Sequence, residues 1–335
     1  MYEAFYKLSG KPFQLNPDPS FYFASRGHKR AMSYLEYGLH QGEGFIVITG
    51  EIGAGKTTLV RNLFRRVDPH SMVAAQLVST QLDADDTLRL IAAAFGLKHE
   101  DPSKAVLLKR LEEYLLGIHR QGRRALLVVD EAQNLTPRAV EELRMLSNFQ
   151  TAEKSLLQSF LLGQPEFRYT LQGEGMQQLR QRIIASYHLG PMEAAETRAY
   201  IEHRMKTVGW QGDPEFSDDC FEPIYAYTGG IPRKINTLCD RVLLFCYLED
   251  RHKIDADTVQ SVINDLKGEM PTLAANEAGG SRGAPRKPGA GDDRALEQLD
   301  RRVSKMERSI VNILKMSREL LSLAQDRRQD KREGS

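Results

Sequence analysis

Residues Gly50-Glu51-Ile52-Gly53-Ala54-Gly55-Lys56-Thr57-Thr58 read GEIGAGKTT and follow directly on the apolar run FIVIT at 45–49. Gly50, Gly55, Lys56 and Thr57 fit the pattern G-x-x-x-x-G-K-[ST], a loop that cradles phosphates when a strand precedes it and a helix follows. Both flanks are present, since FIVIT has strand character and helical spacing runs over 58–66. Glycines at 50, 53 and 55 let the backbone curl so that its amides point at phosphate oxygens. The helix start behind them adds a field that favours negative charge. Lys56 supplies a point charge for the outer phosphates, and Thr57 offers a hydroxyl to Mg²⁺. The whole stretch, with Glu51, Ile52, Ala54 and Thr58 in it, is expected to bind ATP.

A partner for the loop lies downstream in ALLVVDEAQN, an apolar strand ending in Asp130 and Glu131. Carboxylates at the carboxyl edge of a parallel sheet stand beside such a loop. Asp130 is placed to hold Mg²⁺ through water, and Glu131 to polarise an attacking water. A carboxylate pair after a strand elsewhere serves as a helix N-cap; the phosphate loop upstream favours the chemical reading here.

Outward from these two segments the pattern repeats. The β-type runs FIVIT, MVAAQLV, ALLVVD, LLQSFLL and ASYHL alternate with helical stretches near 58–66, 85–95, 103–120 and 136–148. That alternation predicts an α/β fold, a parallel sheet covered on both faces. Ahead of it, residues 1–40 are rich in aromatics and turn formers, with Pro17 and Pro19 forcing a turning path and helical spacing over 27–39. The sheet-forming core is expected over 41–190. Beyond Gly190-Pro191 four helical segments, near 193–208, 217–227, 232–248 and 255–267, predict a small all-helical domain over 191–270 with no strand in it.

Residues 271–292 have the Gly, Pro, Ala and charge content of a disordered linker. Over 293–335 Leu296, Leu299, Val303, Met306, Ile310, Ile313 and Leu320 follow alternating spacings of three and four, with Ser317 the polar seam position and Ala324 the next. A sustained heptad seam predicts a coiled coil, the alternative being an amphipathic helix folding back on the body.

Composition narrows the class. The 335 residues are 41% hydrophobic and 27% charged, an ordinary soluble balance. A formal net charge of +1 disfavours a surface given over to nucleic acid or membrane. Cys220, Cys239 and Cys246 have no metal-ligand spacing and are expected as buried thiols. No apolar run reaches the roughly 20 residues of a membrane span, and MYEAFYKLSGKPF does not read as a signal peptide. The expected location is the cytoplasm, with any membrane contact peripheral and made through a partner.

Three further features point to a machine. LLQSFLLGQPEF is another apolar strand ending in a polar residue, Gln164, whose amide would face the γ-phosphate or the water in a sheet next to the Asp130 strand. LRQRI carries Arg180 and Arg182 just before a strand, where an arginine can complete a neighbouring subunit's site. In GGIPRKINTLCDR, Pro232 opens a helix and Arg233 beside it can reach the nucleotide. Surface salt bridging is the plain alternative for each arginine.

With these residues in view, the chain resembles the AAA+ ATPases of the general secretion pathway protein A type. LVVDEAQNLTPRAVEELRMLSNFQ, LLGQPEFR with LRQRIIASYHLGPM, and GGIPRKINTLCDR carry the likeness. The opening, from FYKLSGKPFQLNPDPSFYF to GKTTLVRNL, is similar to a subgroup found at exosortase and PEP-CTERM loci, often beside exopolysaccharide genes. The resemblance implies an αβα sandwich, a helical lid and ATP at their junction. It matches Gln164 to a first sensor of the nucleotide and Arg233 to a second, with Arg182 as the arginine acting in trans and Arg180 the alternative. It also implies that the NPDPSFYF segment and His28 line the adenine side.

The likeness covers about residues 1–268. Where the family continues into a membrane span and a cell-wall-binding domain, this sequence offers the linker and heptads, which shifts the expectation to a cytoplasmic assembly or regulatory role. The expected function is Mg²⁺-dependent ATP hydrolysis by a homo-oligomer that remodels a protein client in an envelope export or polysaccharide system. The rivals are a nucleotide-gated scaffold acting through the coiled coil, and a DNA-handling helper. The latter lacks a basic, aromatic-interleaved stripe.

Overall fold

Every residue of Phe45–Gly50 (β1) is buried, because this strand has a neighbour on each side and helices over both faces. A computed structural model describes residues 1–78, 83–99, 103–152, 154–173 and 175–269. The linker expected at 271–292 and the heptads expected at 293–335 lie outside the described residues. The remaining strands of the main sheet are Met72–Val78 (β2), Arg124–Asp130 (β3), Leu157–Gly163 (β4) and Ile183–Leu189 (β5), in the order β2-β3-β4-β1-β5. All pairings are parallel. All five expected strands are present; β5 begins two residues ahead of ASYHL.

Ahead of the sheet come Tyr2–Phe5 (α1) and Arg26–Gln41 (α2). The core then adds Lys56–Arg66 (α3), Ala84–Ala94 (α4), Lys104–Arg120 (α5) and Pro137–Leu146 (α6). Side chains of Ser25, Asp83 and Thr136 cap α2, α4 and α6 by accepting backbone N–H groups. Two short helices, Glu166–Gln172 (α7) and Gln177–Arg180 (α8), follow β4. They escape the sequence reading because seven and four residues are too few for a helical period.

Alternation along each strand sends neighbours to opposite faces. Ile46, Ile48, Leu126, Val128 and Phe160 meet Leu35 of α2 and Leu59 and Leu63 of α3. Phe45, Val47, Leu127, Val129 and Leu161 meet Leu88 of α4, Leu111 of α5 and Leu143 of α6. Helix α2 lies so close to the sheet that a Cβ on Gly38 would sit 2.4 Å from Ile46 Cγ1. Glycine mid-helix costs about 1 kcal/mol against alanine, so close packing is what this position keeps.

The third core belongs to Ala194–Thr207 (α9), Phe221–Thr228 (α10), Pro232–Leu248 (α11) and Ala256–Glu269 (α12). Tyr2, Tyr6, Leu8 and Phe13 pack into it beside Ile201, Leu238 and Val259. The Tyr2 hydroxyl donates to Asp240 Oδ1 at 2.6 Å and the Tyr6 hydroxyl to the Arg251 carbonyl at 2.9 Å. The leading residues of the chain are thus part of the helical unit's interior. The three cysteines lie here, free and buried. Burial pushes the thiols up, to about 12 at Cys220 and about 11 at Cys246.

One expectation is corrected. The helical unit is not free of strands, because Glu215–Phe216 (β6) pairs in parallel with Lys253–Ile254 (β7). A two-residue strand carries no alternation to read.

Candidate active site

Strand order builds the site. Because β4 lies between β3 and β1, the chain leaving β4 at Gln164 emerges between Asp130, at the end of β3, and Gly50, at the end of β1. The five residues from Glu51 to Gly55 turn from β1 into α3. Gly53 and Gly55 hold φ of +81° and +96°, left-handed values that suit glycine. Gly50 is crowded too, as a Cβ there would lie 2.6 Å from the Leu189 carbonyl oxygen. The N-terminus of α3 therefore opens onto the loop with its first amides unpaired within the helix.

The Lys56 ammonium is buried and donates to the Gly50 and Glu51 carbonyls at 2.7 and 3.0 Å. Burial lowers its pKa, while Glu131 and Asp130 oppose that shift. The Thr57 hydroxyl donates to Asp130 Oδ2 at 2.7 Å. Asp130 is only 3% exposed, and burial raises its pKa against the hydrogen bonds from Thr57 and the Glu131 amide. These are two hard oxygen donors in contact, the set a Mg²⁺ ion shares with phosphate oxygens and water. Among the described residues no cluster of three or more His, Cys, Asp or Glu forms a metal cage.

A cavity of about 340 Å³ opens over the loop, within the range of small-ligand sites. Gly53, Gly55, Lys56, Thr57, Thr58 and Glu131 line its phosphate end, where Ile52 stands 59% exposed at the rim. Asn16, Pro17, Asp18, Phe21, Tyr22 and Phe23 line the other. Arg233 closes it from the helical unit; its backbone amide donates to the Gly53 carbonyl at 3.2 Å.

Residues 39–171 match the family described as "AAA domain". The chain is 38% identical over 269 residues to general secretion pathway protein A of Aeromonas hydrophila, covering 80% of this chain and 49% of that protein. The chain is an AAA+ ATPase related to general secretion pathway protein A. It spans about half the length of that relative. Among solved structures, the AAA+ chain is similar to Cdc6p of Pyrobaculum aerophilum with a TM-score of 0.60 at 16% identity, over 76% of this chain and 70% of that one. The ORC2 protein of Aeropyrum pernix in its ADP form gives a TM-score of 0.57 at 16% identity, over 76% and 72%. These two likenesses are of fold.

In this AAA+ site Glu131 takes a left-handed backbone, φ 56° and ψ 42°. The Gln133 amide nitrogen donates to Glu131 Oε2 at 2.6 Å, and its oxygen accepts the Gln164 backbone N–H at 2.9 Å. The Gln164 side-chain amide lies 3.5 Å from the same Glu131 oxygen. Asp130, Glu131, Gln164, Lys56, Thr57 and Arg233 thus come to one place.

His28 also lines the cavity, but its ring is anchored to the loop. Nε2 lies 3.1 Å from the Ala54 carbonyl, a group that only accepts, so Nε2 carries the proton. Nδ1 then accepts from the Ser25 hydroxyl at 2.8 Å. A Cβ on Gly55 would meet Nε2 at 2.8 Å.

Arg180 and Arg182 are not brought here. They precede Ile183, which pairs with Phe45 at the amino edge of the sheet, roughly 20 Å along β5 from the loop end. Arg180 donates to the Leu171 and Gly173 carbonyls at 2.6 and 3.1 Å and so closes the end of α7. Arg182 donates to Ser147 Oγ at 2.7 Å and to Asn148 Oδ1.

Two site residues escape the sequence reading. Gln133 stands within DEAQ, but its use depends on the backbone reversal at Glu131. Arg204 of α9 is buried; it donates to the Pro12 carbonyl at 2.5 Å and the Tyr200 hydroxyl at 2.8 Å, and its guanidinium lies 4.6 Å from the centre of the Phe21 ring. No local signal marks it, because Pro12 and Phe21, which hold its guanidinium, come from the start of the chain.

Proposed function

We propose that the chain, as a homo-oligomer, hydrolyses ATP with Mg²⁺ and uses the cycle to assemble or remodel a protein client of a bacterial envelope export system. The exosortase- and PEP-CTERM-linked polysaccharide kind is the one its opening residues suggest. The observation that carries the hydrolytic reading is the Glu131 carboxylate on the cavity wall, tied by Gln133 to the end of β4 and across from the phosphate loop.

Loop amides, the α3 N-terminus and Lys56 bind the β- and γ-phosphates. Thr57 and Asp130 would hold Mg²⁺, which supplies neutralising charge at the phosphate oxygens when bound. Glu131 takes a proton from water as the water oxygen bonds to the γ-phosphorus and the bond to the bridging oxygen of ADP breaks. The Gln164 amide orients the water or the γ-phosphate. Arg233 reports from the lid on whether that phosphate is present, and the aromatic segment of residues 16–23 takes the base. Arg182 completes a neighbour's site. ATP drives a client only through different affinities in the two nucleotide states.

Glu131→Gln tests this reading. ATP binding persists while phosphate release falls about 10²–10⁴-fold. An unchanged rate removes Glu131 from the chemistry. An intact ATPase whose export role is lost on deleting residues 271–335, but kept in Glu131→Gln, favours the scaffold. The ORC1 protein of Aeropyrum pernix, solved in complex with DNA, shares the fold at 16% identity. DNA binding with a steep salt dependence would move this chain to that reading.

A further inference from the structure

We infer that Gln133 is the positioning residue of the Glu131 carboxylate, tying it to the carboxyl end of β4 so that it faces the phosphate loop. The inference rests on the assignment of Glu131 as the base.

The chain reverses at Glu131 in a left-handed conformation that a non-glycine residue adopts only at a cost. Strain of this kind persists where the surroundings over-determine it. The reversal leads into the short turn Ala132–Asn134, which brings Gln133 back beside the carboxylate two residues before it.

The amide orientation of Gln133 is set by its two partners. A carboxylate oxygen accepts and a backbone N–H donates, so the Gln133 nitrogen faces Glu131 and its oxygen faces Gln164. One side chain therefore joins the ends of β3 and β4. The half-buried Gln133 is not among the residues lining the cavity, whereas Glu131 is. Gln133 is thus placed to act through the carboxylate that it holds. With the Gln164 amide 3.5 Å from the same oxygen, the carboxylate and the residue proposed to orient the water are held as one unit.

Gln133→Glu is close to isosteric. It still accepts from the Gln164 amide, but its ionised carboxylate cannot donate to Glu131. Gln133→Met keeps the length, removes both bonds and serves as the second variant. Phosphate release, affinity for a fluorescent ADP analogue and Tm are measured for each, alone and on Glu131→Gln. The expected result is a fall in kcat of about 10²-fold, the scale of a misplaced catalytic group. Nucleotide affinity stays unchanged, and no further loss occurs on the Glu131→Gln background. An equal loss on that background, an unchanged kcat or a raised kcat overturns the positioning role alone. Should Glu131→Gln itself turn over at the wild-type rate, the base assignment fails and the positioning role fails with it.

Discussion

Gly53 of the phosphate loop and Arg233 of α11 meet backbone to backbone. The Arg233 amide donates to the Gly53 carbonyl at 3.2 Å, and a Cβ added at Gly53 would fall 2.3 Å from Arg233 Cβ. The phosphate loop and the first turn of α11 are therefore in direct backbone contact.

Gly53→Ala is expected to separate them. The left-handed φ of +81° alone costs alanine roughly 1–2 kcal/mol, before the contact with Arg233 is relieved. At roughly 2–4 °C per kcal/mol for a domain of this size, differential scanning should register the drop in Tm. Nucleotide affinity should fall with it. A variant with wild-type Tm and affinity would mean that α11 yields without cost.

Thr57 and Asp130 are expected to govern the metal requirement. Thr57→Val removes a ligand oxygen and the 2.7 Å bond to Asp130, and Asp130→Asn removes the charge. Either change should raise the Mg²⁺ concentration needed for half-maximal phosphate release by about 10–100-fold. Thr57→Ser, which keeps the hydroxyl, should stay near wild type. A Mg²⁺ titration on all four proteins decides this.

Stability should fall as the pH drops below neutrality. Burial holds the His28 imidazole below its ordinary value of 6.5, so the folded protein keeps it neutral while the unfolded chain takes up a proton first. Its contribution is therefore full above about pH 6.5 and is lost as the pH falls from there. His203 is lowered in the same direction, by burial first and then by Arg204. Thermal melts between pH 7.5 and 5.5 should slope downward toward acid, and His28→Asn should flatten part of that slope. Equal slopes in the two proteins would exclude His28 as a source.

Arg182 should act only between subunits, since it stands at the sheet edge opposite its own loop. Phosphate release per subunit is expected to rise with protein concentration as oligomers form, and Arg182→Ala to abolish the rise, losing about 10³–10⁵ in rate. Sizing in parallel must show that the variant still assembles, because Arg182 also bonds Ser147 and Asn148. A rate independent of concentration in the wild type would remove the trans role.

Much of the site is legible residue by residue because its chemistry is local. Gly50 to Thr57 form one continuous loop, and Asp130 with Glu131 ends a strand whose apolar run is plain in the sequence. Gln164 is legible at the end of another such run. The His28 expectation is half legible, since its place at the cavity follows from the resemblance but its bond to Ala54 does not. Gln133 stays hidden because only the reversal at Glu131 turns it inward.

What the sequence by itself determined is the five strands of the main sheet, the longer helices, the nucleotide loop and the carboxylates that face it. Those depend on side-chain period and on chemistry within a few residues. Only the tertiary structure decided that β4 lies between β3 and β1, so that Gln164 meets Glu131, and that the start of the chain lies within the core of the helical unit. Tyr2 reaches Asp240 across 238 residues, and Arg204 reaches Pro12 across 192. Contacts of that span leave no local period to read, because they are selected by burying apolar surface and satisfying polar groups over the whole fold at once.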